Sequence, residues 1–193
     1  MSHNTDTNAP MPQFDNFFAL FEQPVQFQIS QEQLEKRLRT LQQQYHPDNL
    51  QDKNSHQSVS ESERLSALIN HAYQTLYHPD TRASYLLEMV GQDADLNHSI
   101  SDLDFLDDAM ELRIEIDEAN DPHQLQSLQT TVGQRIETFS QQFEQAYNQN
   151  SWSDAIDATQ KLKFLVKLQK DIHHQIDELH QTEDADDDDD LYL

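Results

Sequence analysis

A shortage of turn-forming residues constrains the fold of this sequence most. The 193 residues include only two glycines and six prolines, whereas sheets built from hairpins need such residues at most of their tight turns. Helix formers such as Gln, Glu, Leu and Ala are plentiful instead, and apolar residues recur at helical spacing along nearly the whole chain. The sequence therefore predicts an all-α fold.

The apolar pattern and its interruptions divide the chain into five regions. They are a disordered tail over 1–13, a helical N-terminal domain over 14–90, a linker over 91–102, a three-helix bundle over 103–182 and a disordered acidic tail over 183–193. Within the bundle, the predicted helices lie near 103–119, 122–148 and 152–181. The acidic tail is predicted to be disordered because its aspartates repel one another.

Charge and composition exclude several classes of function. The formal net charge of −24 opposes binding to nucleic acid or to an anionic membrane surface, because both need a basic footprint. No apolar run approaches the ~20 residues that span a bilayer, and the N-terminus lacks the basic and apolar segments of a targeting peptide. The chain has no cysteine, hence no disulfide and no thiolate ligand. We therefore expect a cytoplasmic protein that binds neither nucleic acid nor membrane.

The tetrapeptide YHPD occurs twice, in two different settings. The first copy lies in a polar loop between two amphipathic helices, from which His46 and Asp48 would project into solvent. In the second copy, His78 ends one helix, Pro79 suits the first position of the next, and Asp80 lies in its first turn, where a carboxylate is favourable. The second copy thus has a complete structural explanation. The first copy, taken alone, is explained by an ordinary surface turn, and only its surroundings favour a function for it. We predict that if one copy carries function, it is the first.

The helix before the first copy combines an apolar stripe with basic residues. The stripe consists of Leu34, Leu38, Leu41 and Tyr45. Lys36 and Arg39 fall on the opposite side of the helix, and Arg37 flanks the stripe. These cations are notable in a chain with only 12 Lys and Arg residues.

This arrangement resembles the J domain of DnaK-type co-chaperones. The matching stretches are LEKRLRTLQQQYHPD and INHAYQTLYHPDTRASYLL, and the resemblance covers about residues 14–90. It implies that the HPD loop binds the ATPase domain of a partner chaperone, through His46, Pro47 and Asp48. It also implies that a basic helix faces an acidic surface of that ATPase, through Lys36, Arg37 and Arg39. Asn49 stands where many J domains carry a lysine, so that cation is absent here.

The second half resembles one family of J proteins, the HscB co-chaperones of iron–sulfur cluster assembly. The stretches that carry this resemblance are LDFLDDAMELRIEIDE, SWSDAIDATQKLKFLVKL and TRASYLLEMV, and with them it extends over about residues 14–182. It implies a DnaK-like chaperone partner of the HscA type and a C-terminal three-helix bundle that holds the scaffold protein IscU. The family's scaffold-contacting positions fall here on Leu106, Asp107, Met110, Glu111, Ile114 and Phe164.

Helical geometry gives a separate reason to expect a binding face on the bundle. The first bundle helix has a core stripe of Phe105, Ala109, Leu112 and Ile116, and a second apolar stripe of Leu103, Leu106, Met110 and Ile114. The last helix has a core stripe of Ala155, Ala158, Leu162, Val166 and Ile176, with Phe164 almost opposite and Leu168 beside it. Spacing alone leaves open whether the second stripes form a binding face or helices that are buried on two sides. The family resemblance favours a binding face that is exposed in the free protein, with Asp107 and Glu111 as its polar rim.

Other assignments are weaker. His173, Asp177 and His180 share a helix face, but a solvated polar face explains them without a metal ion. No nucleophile motif or phosphate-binding loop is present, so we predict no enzymatic activity, no catalytic residue and no cofactor. An iron–sulfur cluster normally needs cysteine thiolates, so we expect the chain to act on the scaffold rather than hold a cluster itself. Two alternatives stay open: a J protein that serves a different client, and a non-catalytic helical adaptor in which the HPD loop is incidental.

Overall fold

The computed structural model describes residues 14–45, 56–96 and 98–187, apart from the side chains of 56–61 and 180–187. All regular structure in these ranges is helical, which confirms the all-α prediction. The helices are α1 (Phe17–Leu20), α2 (Gln31–Tyr45), α3 (His56–Tyr77), α4 (Pro79–Met89), α5 (Leu103–Glu118), α6 (Pro122–Asn148) and α7 (Trp152–Asp187). None of the helices in these ranges is both long and apolar enough to cross a membrane.

The chain divides into two compact units at the Tyr77–His78 bond. The first unit contains α1, α2 and α3, and the second contains α4 to α7. The predicted N-terminal domain extends to residue 90, but α4 packs against α7 and lies in the second unit. Its buried Ala83, Leu86 and Leu87 form an apolar side, and the pattern of a short helix does not reveal which neighbour covers such a side.

The first unit is a helical hairpin with a short helix packed on it. α2 packs against α3, and α1 also packs against α3. The Asn16 side chain accepts a hydrogen bond from the Ala19 N–H at 2.8 Å and caps α1. Ser30 Oγ accepts one from the Gln33 N–H at 3.3 Å, as expected of an N-cap at the start of α2. Leu34 and Leu41 of α2 are fully buried, so the predicted apolar stripe faces the core.

The second unit is built on the long pair of α6 and α7, and α5 packs against both helices. The predicted core stripe of α5 is buried in full, at Phe105, Ala109, Leu112 and Ile116. Asp102 caps α5 by accepting a hydrogen bond from the Phe105 N–H at 3.1 Å. The Asp121 side chain accepts one from the His123 N–H at 3.1 Å and caps α6. Side-chain caps therefore fix where both helices begin.

The prediction for the last helix was wrong in one respect. Leu168 was placed beside Phe164 on the binding side, but it is 1% exposed and belongs to the core. Its neighbours in the core cluster come from α5 and α6, among them Phe105, Leu112 and Leu125. Because α7 packs against α4, α5 and α6, a single core stripe does not describe its buried side.

The C-terminal end of α7 also lies further along the chain than predicted. The helix was expected to end near 181, but it continues to Asp187 and so includes the first residues of the tail that was predicted to be disordered. Extending an existing helix needs no new nucleus, so a polar segment can follow it for another turn or two. Residues 188–193 and the predicted disordered tail over 1–13 lie outside the described residues.

Candidate functional site

The first HPD copy lies between two described helices. His46, Pro47 and Asp48, with Asn49, lie outside the described residues. The helix that leads to them ends at Tyr45, and Ser62 Oγ of α3 donates a hydrogen bond to the Tyr45 carbonyl oxygen at 2.9 Å. Ser62 is buried. This contact holds the end of α2 against α3, a role that the sequence pattern did not reveal.

The basic residues of α2 occupy different environments. Lys36 and Arg39 are exposed, and Arg39 Nη2 lies 3.6 Å from Glu35 Oε2 one turn earlier. Arg37 is half-buried, and its Nη2 lies 2.9 Å from Glu22 Oε1. Arg37 Nε also donates a hydrogen bond to the Leu20 carbonyl oxygen at 3.4 Å. Lys36 and Arg39 are thus available to a partner, whereas Arg37 also fastens the segment after α1 to α2.

The second HPD copy is a helix start, as predicted. His78 is the N-cap of α4 in extended backbone conformation, Pro79 opens the helix, and Asp80 lies in the first turn. Burial lowers the pKa of His78, and the nearby Lys170 acts in the same direction. The imidazole is therefore biased towards its neutral form within a packed junction.

An apolar surface lies on the outer side of α5. Leu103, Met110 and Ile114 are 72%, 60% and 48% exposed, although burying such side chains is worth ~1.5–3 kcal/mol each. Leu106 is partly buried against the core cluster. Neighbouring exposed apolar side chains of this kind often mark a site of interaction with another protein.

Phe164 of α7 extends this surface beyond α5. Its ring packs edge-on against the Phe105 ring, with centroids 6.0 Å apart, and the Phe164 side chain is partly buried. On α5, Asp107 and Glu111 are exposed and lie on the side of the stripe away from Leu106. We call this surface the docking face; it consists of Leu103, Leu106, Met110, Ile114 and Phe164, with Asp107 and Glu111 at its rim. Leu103, Met110 and Ile114 are exposed, as expected of a binding face. Leu106 and Phe164 are only partly exposed, because they also pack against the core.

A buried lysine holds the start of α5 against α7. Lys161 Nζ lies 2.7 Å from Asp102 Oδ2 and 2.7 Å from Asp157 Oδ2. The ammonium also lies 5.5 Å from the centroid of the Phe105 ring and 5.3 Å from that of Phe139. The side chain is only 8% exposed. The sequence pattern did not reveal this role of Lys161, whose only local signal is the aspartate four residues earlier.

These contacts shift the pKa values of the pair in opposite directions. The hydrogen bond from Lys161 lowers the pKa of Asp102, and the backbone N–H of Phe105 adds to that effect. Burial alone would lower the pKa of Lys161, but the hydrogen bonds to Asp102 and Asp157 outweigh burial and raise it. Both groups are therefore charged at neutral pH, and the ion pair is intact there.

We expect Asp102→Asn to lower the thermal midpoint at pH 7 by roughly 2–6 °C. Because the folded-state pKa of Asp102 lies below its unfolded value, its contribution is complete above about pH 3.9 and is lost as the pH falls through the folded value. Thermal melts of the variant should therefore show less loss of stability on acidification than melts of the unaltered protein. Asp104→Asn, an exposed position in the same helical turn without the Lys161 contact, serves as the control. Equal effects of the two substitutions would contradict this role for the ion pair.

His173, on the helix face that it shares with Asp177 and His180, contacts a glutamine of α6. His173 Nε2 lies 2.6 Å from Gln129 Nε2 on α6, and the side chain of His180 lies outside the described residues. In the part of the chain that the structure describes, no group of three or more His, Asp or Glu side chains could hold a metal ion.

Comparison with known proteins gives matches over most of the chain. The family model for the DnaJ domain matches residues 24–85, and the model described as the HSCB C-terminal oligomerisation domain matches residues 101–173. The co-chaperone protein HscB homologue of Acinetobacter baumannii strain SDF is 40% identical over 175 residues, which span 91% of this chain and 98% of the relative. The homologue from Acinetobacter baylyi is 37% identical over 176 residues, or 91% of this chain and 99% of the relative.

Solved structures of similar proteins have the same architecture. Chaperone HscB from Vibrio cholerae is 34% identical, with a TM-score of 0.69, over 85% of this chain and 99% of that chain. Human co-chaperone protein HscB is 26% identical, with a TM-score of 0.72, over 86% of this chain and 84% of that chain. The likeness therefore covers both units.

Proposed function

This chain belongs to the HscB family of J-domain co-chaperones, and we propose that it binds an IscU-type iron–sulfur scaffold and delivers it to an HscA-type chaperone. In this proposal the docking face holds the scaffold. The first HPD copy, with Lys36 and Arg39, binds the chaperone's ATPase domain and stimulates ATP hydrolysis. The family's J domain implies a DnaK-type partner, and its members are co-chaperones rather than enzymes.

The exposed apolar stripe of α5 carries the proposal. Leu103, Met110 and Ile114 are large, apolar and open to solvent on one helix, whereas the exposed Leu68 of α3 and Met89 of α4 are single residues on their helices. Fully desolvated apolar anchors surrounded by a polar rim contribute most of the affinity at protein interfaces. Asp107 and Glu111 supply charged groups on one side of this stripe, which favours a protein partner of defined orientation.

The chain's own part in the cycle is binding and positioning. It has no cysteine and ten histidines spread along its length, so the cluster stays with the scaffold and this protein acts on the scaffold's location and conformation. The energy comes from the partner ATPase, whose nucleotide states bind the scaffold with different affinities. A position in the cytoplasm is part of the same proposal.

A steady-state ATPase assay tests the proposed function. The purified protein should raise the turnover of an HscA-type chaperone several-fold, and addition of the IscU-type scaffold should raise it further, because the scaffold is delivered together with the J domain. The scaffold and chaperone without this protein provide the control. Stimulation that the scaffold does not change would indicate a J protein with a different client, and no stimulation at all would support the helical adaptor.

A further inference from the structure

Three lysines form a strip on the exposed side of α7. Of the 12 Lys and Arg residues in the chain, four lie between 161 and 170, and Lys161 is the buried one. The other three, Lys163, Lys167 and Lys170, recur at i, i+4 and i+7, so they lie within about 60° of one another around the helix. Lys167 and Lys170 are exposed and Lys163 is half-exposed. We call these three residues the lysine strip.

The stability of α7 does not explain the lysine strip. The strip lies in the middle of a helix that runs from Trp152 to Asp187, whereas a helix dipole favours cations only in the last turn. Among the described residues, no carboxylate lies within 4.0 Å of these three ammonium groups. Asp171 lies one turn after Lys167, but its Oδ2 is 3.9 Å from Nη1 of Arg113 on α5. Like charges one turn apart repel each other, and no ion pair among the described residues offsets that repulsion.

The strip lies next to the docking face. Phe164 directly follows Lys163 in the chain and lies three residues before Lys167, so Phe164 and Lys167 are neighbours on the helix surface. The opposite rim of the docking face carries Asp107 and Glu111. The charge therefore changes sign across the face, from carboxylates on α5, through the apolar stripe, to lysines on α7.

The chain's own acidic segment does not reach the strip within one molecule. From Lys167 to the end of α7 at Asp187 is twenty residues, or about 30 Å of helix. The three aspartates that follow, 188–190, span at most about 10 Å. A nucleic acid or an anionic membrane is also disfavoured, because the net charge of −24 repels such extended polyanions. The remaining candidate for binding to the lysine strip is a short acidic segment of a partner protein that other contacts already hold next to the strip.

We propose that the lysine strip binds a carboxylate-rich segment of the docked scaffold and so fixes the direction in which the scaffold lies on the docking face. The inference rests on the proposed function. An apolar stripe alone allows two opposite orientations of a partner. In one orientation, the opposite charges at the two rims of the docking face attract complementary charges of the scaffold. In the other orientation, the same rims face like charges and repel them.

Two variants of equal net charge test this proposal. Lys167→Gln with Lys170→Gln removes two positive charges from the strip, and the net charge changes from −24 to −26. Arg64→Glu replaces an exposed cation of α3 by an anion, so the net charge is again −26. The affinity and association rate of the scaffold are measured for both variants and for the unaltered protein, in about 50 mM and about 500 mM salt.

At low salt, we expect the strip variant to bind the scaffold about five- to twentyfold more weakly, mainly through slower association, because the strip acts by electrostatic attraction. At high salt the difference should fall below about twofold, and Arg64→Glu should change the affinity less than twofold at either salt. Thermal melts should show that both variants are folded, since the replaced side chains form no ion pair in the described structure. Unchanged affinity of the strip variant, or equal weakening in both variants, would overturn the inference and leave the proposed function standing. If the unaltered protein does not bind the scaffold at either salt, the proposed function fails as well.

Discussion

His46→Gln and Asp48→Asn should each abolish stimulation of the partner ATPase, so that turnover falls to the level measured without this protein. A J domain acts through a few exposed groups, and one carboxylate that pairs with an arginine of the partner contributes both affinity and orientation. The substitutions change side chains in the segment between α2 and α3, so the helical content should stay the same. Single-turnover ATP hydrolysis with saturating protein, together with circular dichroism, measures both quantities.

The second HPD copy provides the matched control within the same chain. His78→Gln and Asp80→Asn should leave stimulation within about twofold, because these residues begin α4 and do not face a partner in our proposal. Their expected cost is in stability, since loss of a carboxylate from a first helical turn typically costs ~0.3–1 kcal/mol. If the second pair abolished stimulation and the first pair did not, our assignment of the two copies would be reversed.

Met110→Ala combined with Ile114→Ala should weaken scaffold binding by more than tenfold and change the thermal midpoint by only a few degrees. Both side chains are about half exposed or more in the free protein, so their truncation removes little core packing. Apolar anchors that become buried on binding commonly contribute over ~1 kcal/mol each, and tenfold in affinity corresponds to about 1.4 kcal/mol. Isothermal titration with the scaffold gives the affinity, and a thermal melt gives the stability.

The choice of residues decides how clear this experiment is. Phe164→Ala and Leu106→Ala would also remove packing against Phe105 and the rest of the core, so a loss of binding could follow from a loss of structure. Met89→Ala is the suitable control, because Met89 is an exposed methionine of α4 outside the docking face. A large drop in the midpoint for the Met110 and Ile114 variant, with binding unchanged, would show that these residues belong to the core.

Sequence periodicity predicted local features of the bundle well. The core stripe of α5 and the exposed positions of its second stripe follow from the 100° step of a helix, because α5 packs on one side only. The start of α4 at Pro79 was equally predictable, since proline and aspartate have fixed preferences in a first turn. The first residues of α5, α6 and α7, which are Leu103, Pro122 and Trp152, also agree with the predicted helix starts.

Features that depend on distant parts of the chain were not predictable in this way. Leu168 is buried because it joins the core residues of α5 and α6, and the periodicity of α7 cannot indicate how many helices pack around it. Arg37 bonds to a residue 17 positions earlier, and Lys161 pairs with an aspartate 59 positions earlier. Such contacts depend on how the helices are placed in three dimensions, and a single sequence does not encode that placement in any short pattern.

The packing of α4 against α7 limits how this protein can be divided or recombined. The part of the chain that matches the DnaJ domain family runs to residue 85, but the last helix in that range contributes Ala83 to the interior of the other unit. A J domain exchanged from an unrelated co-chaperone at this boundary would bring a helix whose surface is not matched to the side of α7 against which α4 packs. A fragment that begins at 103 would expose that side of α7 and invite aggregation. Exchange of domains in this protein is therefore constrained by one short helix, and the natural cutting point lies before His78.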